Sequence, residues 1–577
     1  MLLRTGHGEA PLPEFSKLPR RLARSLCGAG IVLGTLFFAA ALTPTLIPRS
    51  YLTQGALAGL CFAIGYGCGV AWRALWRYLE LPEAPPRFQS RVNVVLAVFS
   101  AFVVVASLWQ AAAGQNAVRA VMGMEPETAH PFKTSAVALI VFLAALALAR
   151  LFKLIARLVG TGIRRFVPRR VANVAGILIA VAVFWFAASN LLVPTVFRML
   201  DSSYSQWDAL FEPERAQPAD PGKTGGAQSL VRWNELGRTG RRFIASGPTA
   251  KAIEAVTRRP AREPIRVYVG LRGAATARSR ARLALDELRR QGGFERSVLI
   301  VITPTGTGWI DPSAIDSVEY LHDGDVASVA TQYSYLNSPL SLLAQPQYGD
   351  EAARALFTEI YGYWTTLPKE KRPRLYLHGL SLGAMNSQAS AEWFETIGDP
   401  IAGALWSGPP FKSQLWRSIT AGRNAGTPQW RPEFRDNRFA RFMNQHGTTV
   451  PADAAWGPMR IVYLQYASDA ITFFDYRDLY RRPDWMNAPR GPDVSPSLSW
   501  YPIVTMLQLA LDMIVANKAP MGYGHVYAPE HYVDAWVAVT NVQSWSPDAL
   551  AALKQHLGAA ARGGAAGVVE RYEDRGG

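Results

Sequence analysis

One pentapeptide in the sequence carries a residue pattern suited to covalent chemistry. Gly379-Leu380-Ser381-Leu382-Gly383 spells G-x-S-x-G, preceded by an apolar run, Leu375 to His378, and followed by a helical pattern, Leu382 to Phe394. On such a strand-to-helix turn the serine backbone is strained, its hydroxyl projects into a crevice, and the flanking glycines remove side chains that would collide. The amide of Leu382 and the helix N-terminus then face any oxyanion that develops. The competing reading is a structural turn serine.

A serine hydroxyl is a weak nucleophile at neutral pH, so a base and an orienting acid must follow, in the chain order Ser, acid, His. Asp469 stands just past the β-rich run Arg460 to Tyr466 and is the expected acid, with Asp475 as its competitor. Gly522-Tyr523-Gly524-His525 places an imidazole on a glycine-flexed loop, which makes His525 the expected base and leaves His531 as the alternative. His322, His378, His446 and His556 fall in the wrong order or place for that role. A second oxyanion donor comes from a loop after an earlier strand. Leu271, in Gly270-Leu271-Arg272-Gly273, is one candidate, and the loop Thr303 to Trp309 is an equal rival.

These residues need a scaffold, and from Pro264 onward the pattern supplies one. Strands are expected at Ile265 to Gly270, Val298 to Thr303, Leu375 to His378, Gly403 to Trp406 and Arg460 to Tyr466, alternating with helices such as Ala277 to Arg290 and Asp350 to Thr365, the latter capped by Asp350. That alternation predicts a mostly parallel sheet covered by helices, with its chemistry at the carboxyl ends of the strands. An insertion, Phe411 to Pro458, interleaves arginines with Trp416, Trp430 and Phe434 and reads as a cap over the crevice. It is either a substrate-gating lid or a solvated subdomain. Trp500 to Val515 is apolar but broken by Asp512, as in a crevice-lining or interfacial helix. Residues 201–228 have a linker's composition, 229–557 hold the catalytic domain, and 558–577 read as a flexible tail. Within the linker, Gly222-Lys223-Thr224 resembles the end of a phosphate-binding loop, but it lacks the first glycine and a preceding strand.

The first 200 residues differ in kind. Five apolar runs, near 25–47, 52–72, 92–112, 135–152 and 171–193, reach spanning length and predict an all-α transmembrane bundle. Of the net charge of +16, this block holds 20 Lys and Arg against 6 acids, so the remainder is nearly neutral. A basic block of apolar runs points to a membrane and away from nucleic acid. Sixteen of its cations lie before the first span, between the second and third, and after the fourth; only Arg49, Arg119 and Lys133 occupy the alternate loops. The positive-inside rule then puts the N-terminus in the cytoplasm and the large domain outside it. All three cysteines, Cys27, Cys61 and Cys68, fall in this block, so the catalytic domain has neither a disulfide framework nor a cysteine zinc site, and the reading calls for no cofactor and no metal.

The whole pattern resembles the bacterial membrane-anchored α/β-hydrolase family, in which an N-terminal multi-span domain precedes a C-terminal α/β-hydrolase domain. The segments that carry the resemblance are Leu42-Thr43-Pro44-Thr45-Leu46-Ile47-Pro48-Arg49, Gly237-Arg238-Thr239-Gly240-Arg241-Arg242-Phe243, Thr303 to Pro312, His378 to Ala384, Tyr466 to Asp469 and Gly522 to Tyr527. The resemblance implies a lipase-like or esterase-like serine hydrolase in the inner membrane, with Ser381, Asp469 and His525 where the family's triad falls. Its expected partners are the lipid bilayer and a hydrophobic or lipid ester. An acyltransferase and a non-catalytic envelope scaffold are the alternatives. If the spans only anchor and deliver, a chain beginning near Ser229 should still cleave short water-soluble esters.

Overall fold

A computed structural model gives the protein's structure, describing residues 26–573 except 84, 213–214, 337–340, 342–345, 392–395 and 452. Seven strands form one sheet: β1 Ile265–Val269, β2 Val298–Thr303, β3 Val326–Thr331, β4 Arg374–Leu380, β5 Gly403–Ser407, β6 Ala440–Met443 and β7 Arg460–Leu464. Their order is β1-β3-β2-β4-β5-β7-β6, and every pairing is parallel. Both faces are covered by helices, which is why strands such as Val298–Thr303 are buried along their full length. Because all strands point one way, the segments that follow β2, β4, β5 and β7 emerge at the same end of the sheet.

Two of these strands have no counterpart in the sequence reading. β3, Val-Ala-Ser-Val-Ala-Thr, is too rich in small residues to stand out as an apolar run. β6, Ala-Arg-Phe-Met, lies inside the stretch read as a cap and instead forms an edge of the sheet beside β7. Trp416 and Trp430 in that stretch are buried, their indole N–H groups bonded to Gln465 Oε1 (2.7 Å) and the Pro489 carbonyl (2.9 Å). They pack the domain and present nothing to a lipid surface. Asp350 lies inside the helix Pro346–Thr366 and does not cap it.

The N-terminal block contains α1 Gly28–Ala41, α2 Tyr51–Tyr78, α3 Pro86–Val121, α4 Pro131–Ile163 and α5 Arg169–Phe186, the last continuing through a π-helical turn into α6 Val193–Ala209. Among the described residues, four helices in this block are long and apolar enough to cross a membrane, α2, α3, α4 and the α5 continuation, where the sequence reading expects five. α1 has 14 residues, about 21 Å of helix against a hydrocarbon core of about 30 Å. It packs along α2, with Gly30 against Gly69. The helices meet through small residues: a Cβ at Gly59 of α2 would lie 2.4 Å from the Ala138 carbonyl of α4, and one at Gly176 of α5 at 2.4 Å from the Ala156 carbonyl of α4.

The boundary between the two parts is not where composition puts it. Leu46, Ile47, Val118 and Met122, all from the N-terminal block, belong to the same buried apolar cluster as the sheet. Val504, from the C-terminal domain, is buried with Phe38, Leu42, Leu57 and Cys61. The 201–228 stretch is packed as well: the Asp208 carboxylate accepts from Arg272 and the Arg238 amide, and Thr224 is buried with its hydroxyl on the Arg266 carbonyl. Lys223 pairs with Glu263, so the phosphate-loop look-alike is occupied structurally. Beyond residue 557, the helix Pro547–Glu573 continues through most of what composition suggests is a tail.

Candidate active site

Ser381 sits between β4 and the helix Leu382–Ser390 with φ +56° and ψ −128°, a left-handed conformation that costs a side-chain-bearing residue about 1–3 kcal/mol. Its N–H donates to the Ser407 carbonyl (2.9 Å), which ties the turn to the end of β5. The two glycines of the pentapeptide are required by close approach. A Cβ on Gly383 would lie 2.2 Å from the Thr303 carbonyl, and one on Gly379 would lie 2.5 Å from Gly383 backbone. Leu382 is the first residue of its helix, so its N–H has no intrahelical acceptor.

Asp469 follows β7 and is fully buried. It caps the short helix Ala470–Phe473 by accepting from the Ile471 N–H (2.9 Å). Its Oδ2 accepts from His525 Nδ1 at 2.7 Å, from the Tyr527 hydroxyl at 2.8 Å and from Thr472 Oγ1 at 3.3 Å. Bonding to the carboxylate fixes the imidazole with its proton on Nδ1 and its lone pair on Nε2. Nε2 is buried and, among the described residues, has no hydrogen-bond partner. Burial raises the Tyr527 hydroxyl well above its ordinary range, so it stays a donor to the carboxylate.

The loop that carries His525 is held from several sides. Gly522 N–H donates to the Val526 carbonyl (2.8 Å), and Gly524 N–H donates to Ser468 Oγ (2.9 Å). Ser468 Oγ in turn donates to Asp493 Oδ2 (2.6 Å). Gly408, just past β5, lies between the Ser381 turn and this pair. With φ +49°, it has no room for a side chain, since a Cβ there would stand 2.7 Å from His525 Cε1 and 2.9 Å from Asp469 Oδ2. The sequence reading assigns no role to Gly408, Tyr527 or Ser468. Gly408-Pro409-Pro410 directly after a strand was the available signal for the first.

The competing residues are engaged elsewhere. Asp475 caps the turn Tyr476–Leu479 by accepting from the Arg477 amide (2.9 Å). His531 Nδ1 is bonded to the Tyr466 hydroxyl at 2.6 Å. His378 lies within β4 with Nδ1 on the Leu405 carbonyl (2.9 Å), and burial pushes it down to about 4. The His556 ring packs edge-on against Tyr320. Leu271 is not brought to Ser381. It follows β1, which β3 and β2 separate from β4, and its N–H donates to Gln332 Oε1 (3.2 Å). The rival loop Thr303 to Trp309 follows β2, the direct neighbour of β4, and its first carbonyls touch Gly383. Among the described residues, no three His, Cys, Asp or Glu side chains cluster as a metal site.

A parallel sheet with a serine on a strained turn after its central strand, and an Asp–His pair two strands away at the same end, defines a domain of the α/β-hydrolase class. The chain belongs to the alpha/beta-hydrolase family: that family's model matches residues 265–553, half of the chain, and the model of the alpha/beta-hydrolase family N-terminus matches residues 42–248. Comparison with curated proteins and with solved structures finds no match. The family supports a hydrolase-type function, and the apolar helices support membrane anchoring.

Proposed function

We propose that the protein is a membrane-anchored serine hydrolase that cleaves an ester of a hydrophobic or lipid substrate through an acyl-enzyme. The observation that carries this reading is the buried Asp469–His525 pair, with Nδ1 committed and Nε2 unpartnered among the described residues, at the same end of the sheet as the strained Ser381 turn. In the forward step Ser381 Oγ attacks the acyl carbon and its proton passes to His525 Nε2. Asp469 then stabilises the imidazolium while the oxyanion faces the Leu382 N–H and its helix N-terminus. Collapse expels the alcohol, which takes the proton from His525. Water, deprotonated by the same nitrogen, attacks the acyl carbon and releases the acid and free Ser381.

The position of the site supports a hydrophobic substrate: Ile47, in the turn that follows the first helix of the apolar block, packs against the His525 loop. The ends of α2 and α3 that carry Arg73, Arg77, Arg87 and Arg91 lie opposite the end that meets the hydrolase domain, which supports a cytoplasmic N-terminus and an extracytoplasmic domain. A fluorophosphonate probe tests the chemistry. The intact protein should be labelled and the Ser381→Ala variant should not, whereas equal labelling of both would refute the serine reading. A phosphatase fused after Val193 should be active and one fused between Arg157 and Arg170 inactive; the reverse would put catalysis in the cytoplasm.

A further inference from the structure

The joint between the two parts of the chain is built unlike either of them. Arg49, in the turn after α1, and Asp512, in the helix Val504–Val515, form an ion pair at 2.9 Å with both side chains fully buried. Asp512 is saturated from the same turn, accepting also from Thr45 Oγ1 (3.2 Å), the Leu46 N–H (3.1 Å) and Arg49 Nε (3.1 Å). Gln508, one helical turn earlier, donates to the Ala40 carbonyl (3.2 Å). Arg49 N–H reaches α3 through Gln115 Oε1 (2.9 Å). A buried ion pair contributes little net stability against an apolar substitute, but it fixes geometry, because only one alignment satisfies every partner.

What that alignment fixes is the neighbour of the proposed base. Ile47 is 1% exposed, and its Cδ1 stands 2.9 Å from where a Cβ of Gly524 would be, directly before His525. Around the same position the Ala519 methyl would be 2.7 Å from that Cβ, and the Ala516 carbonyl accepts the His525 N–H (3.4 Å). Both alanines follow the helix that Asp512 clamps. The imidazole loop is therefore held by Ser468, which follows β7, and packed against both Ile47 and the segment that follows the clamped helix.

We infer that the Leu42–Arg49 turn of the membrane block is part of the catalytic apparatus, with Ile47 as a positioning residue for His525 and the Arg49–Asp512 pair as the latch that seats it. This deepens the proposed function and rests on its assignment of His525 as the base. A change in the seating of the helix block is then transmitted to the imidazole without passing through the substrate crevice, so the anchoring domain sets the rate of the chemistry and not its location alone.

The test uses the full-length protein in detergent and follows the rate of fluorophosphonate labelling against probe concentration. Ile47→Ala should lower the maximal rate constant by about ten- to a hundredfold, the scale set by small misplacements of a reacting group, with the half-saturating probe concentration unchanged. Ile47→Val should restore most of it. Asp512→Asn, which keeps the shape and removes the charge, should give the same split from the other side of the joint and decides the matter if Ile47→Ala does not fold. A wild-type maximal rate in Asp512→Asn or in folded Ile47→Ala, or a fall matched by weaker saturation and not rescued by valine, overturns the inference. His525→Ala in the same assay separates the two failures. Normal labelling of that variant removes the base assignment and this inference together. No labelling of it beside normal labelling of Ile47→Ala removes this inference alone.

Discussion

The helix block and the sheet domain are packed on opposite principles. In the sheet domain the largest side chains are inside, with Trp406, Trp485, Trp536 and Tyr463 fully buried. In the block the large side chains are outside, Phe132 at 89% and Trp109 at 84% exposure, and the contacts between helices are made by Gly30, Gly59, Gly69 and Gly176. Water drives the first arrangement by expelling apolar surface. Lipid gives apolar surface no reason to hide, so close backbone approach decides the second. The Leu42–Arg49 turn belongs to neither regime. It is buried, sets Leu46 and Ile47 into the sheet domain's apolar core, and adds the Arg49–Asp512 ion pair, so it joins the two with a geometry that general burial would not specify.

The largest effects should come from the proposed reacting groups, all of which lie on the sheet side. Ser381→Ala and Asp469→Asn should each reduce ester turnover by about 10⁴-fold or more while leaving the helix block untouched. Larger losses from Asp475→Asn or His531→Ala would move the acid or base away from the buried pair.

Next comes separability. Composition makes the catalytic domain begin after a linker, which implies that a chain starting near Ser229 stays active on soluble esters. The joint implies the reverse. Removing Arg49 leaves the Asp512 carboxylate buried without its partner, a cost of about 3–5 kcal/mol. The loss of Leu46 and Ile47 also opens the sheet domain's own core. Such a chain should aggregate or fail to be labelled, measured by gel filtration and by the probe. A soluble, fully labelled fragment would show that the two regions are independent after all.

How much of this was legible in the sequence follows the range of the interactions. The Ser381 turn, Asp469 and His525 each announce themselves within five residues, through glycine spacing and position after a strand. The helix block is legible as a block, whereas the point at which a helix stops inside an apolar run, as α1 does at Ala41, leaves little trace in composition. Separating Leu271 from the Thr303–Trp309 loop needs the strand order, which local sequence does not carry: β2, not β1, neighbours β4. Trp416 and Trp430 could equally have lain inside or outside, since interleaved arginines and aromatics serve either. The Arg49–Asp512 pair spans 463 residues, and its one local sign was an acid in the middle of an apolar run.

Acid should expose the contrast from another side, because the sheet domain buries polar groups. His378 is buried and its ring is pushed from the usual 6.5 down to about 4, with the Leu405 carbonyl only partly opposing the effect of burial. Above pH 6.5 the ring is neutral folded and unfolded. Below it the unfolded chain takes up a proton that the folded chain refuses, so this ring's contribution to stability falls between about pH 6.5 and 4 by up to about 3 kcal/mol. Burial acts the other way on Asp311, raised to about 6, and on Glu319 and Asp478, each raised to about 7, so the ring's share is read as a difference: from pH 7 to 5 the denaturant midpoint, followed by tryptophan fluorescence, should move further in the stabilising direction in His378→Phe than in the unsubstituted protein. An unchanged slope in that variant would assign the acid sensitivity elsewhere.

The smallest effect is the sharpest test of the packing contrast, because it compares two glycines on one helix. In α2, a Cβ at Gly69 would stand 2.5 Å from Gly30 Cα and 2.6 Å from the Ala29 carbonyl, both backbone, so α1 and α2 must part to admit it. At Gly67, two residues away, a Cβ meets nothing within 4 Å. Gly69→Ala gains helix propensity but forces that separation, and a net loss of about 1–2 kcal/mol is expected. Gly67→Ala gains the propensity without the collision and should be neutral or more stable by up to about 1 kcal/mol. Thermal melts of the full-length protein in detergent, followed by helical circular dichroism, should therefore move in opposite directions, or one down and one not at all. Equal shifts for the two variants would mean that backbone approach is not what holds these helices, and that the block shares more of the sheet domain's packing than its inverted surface suggests.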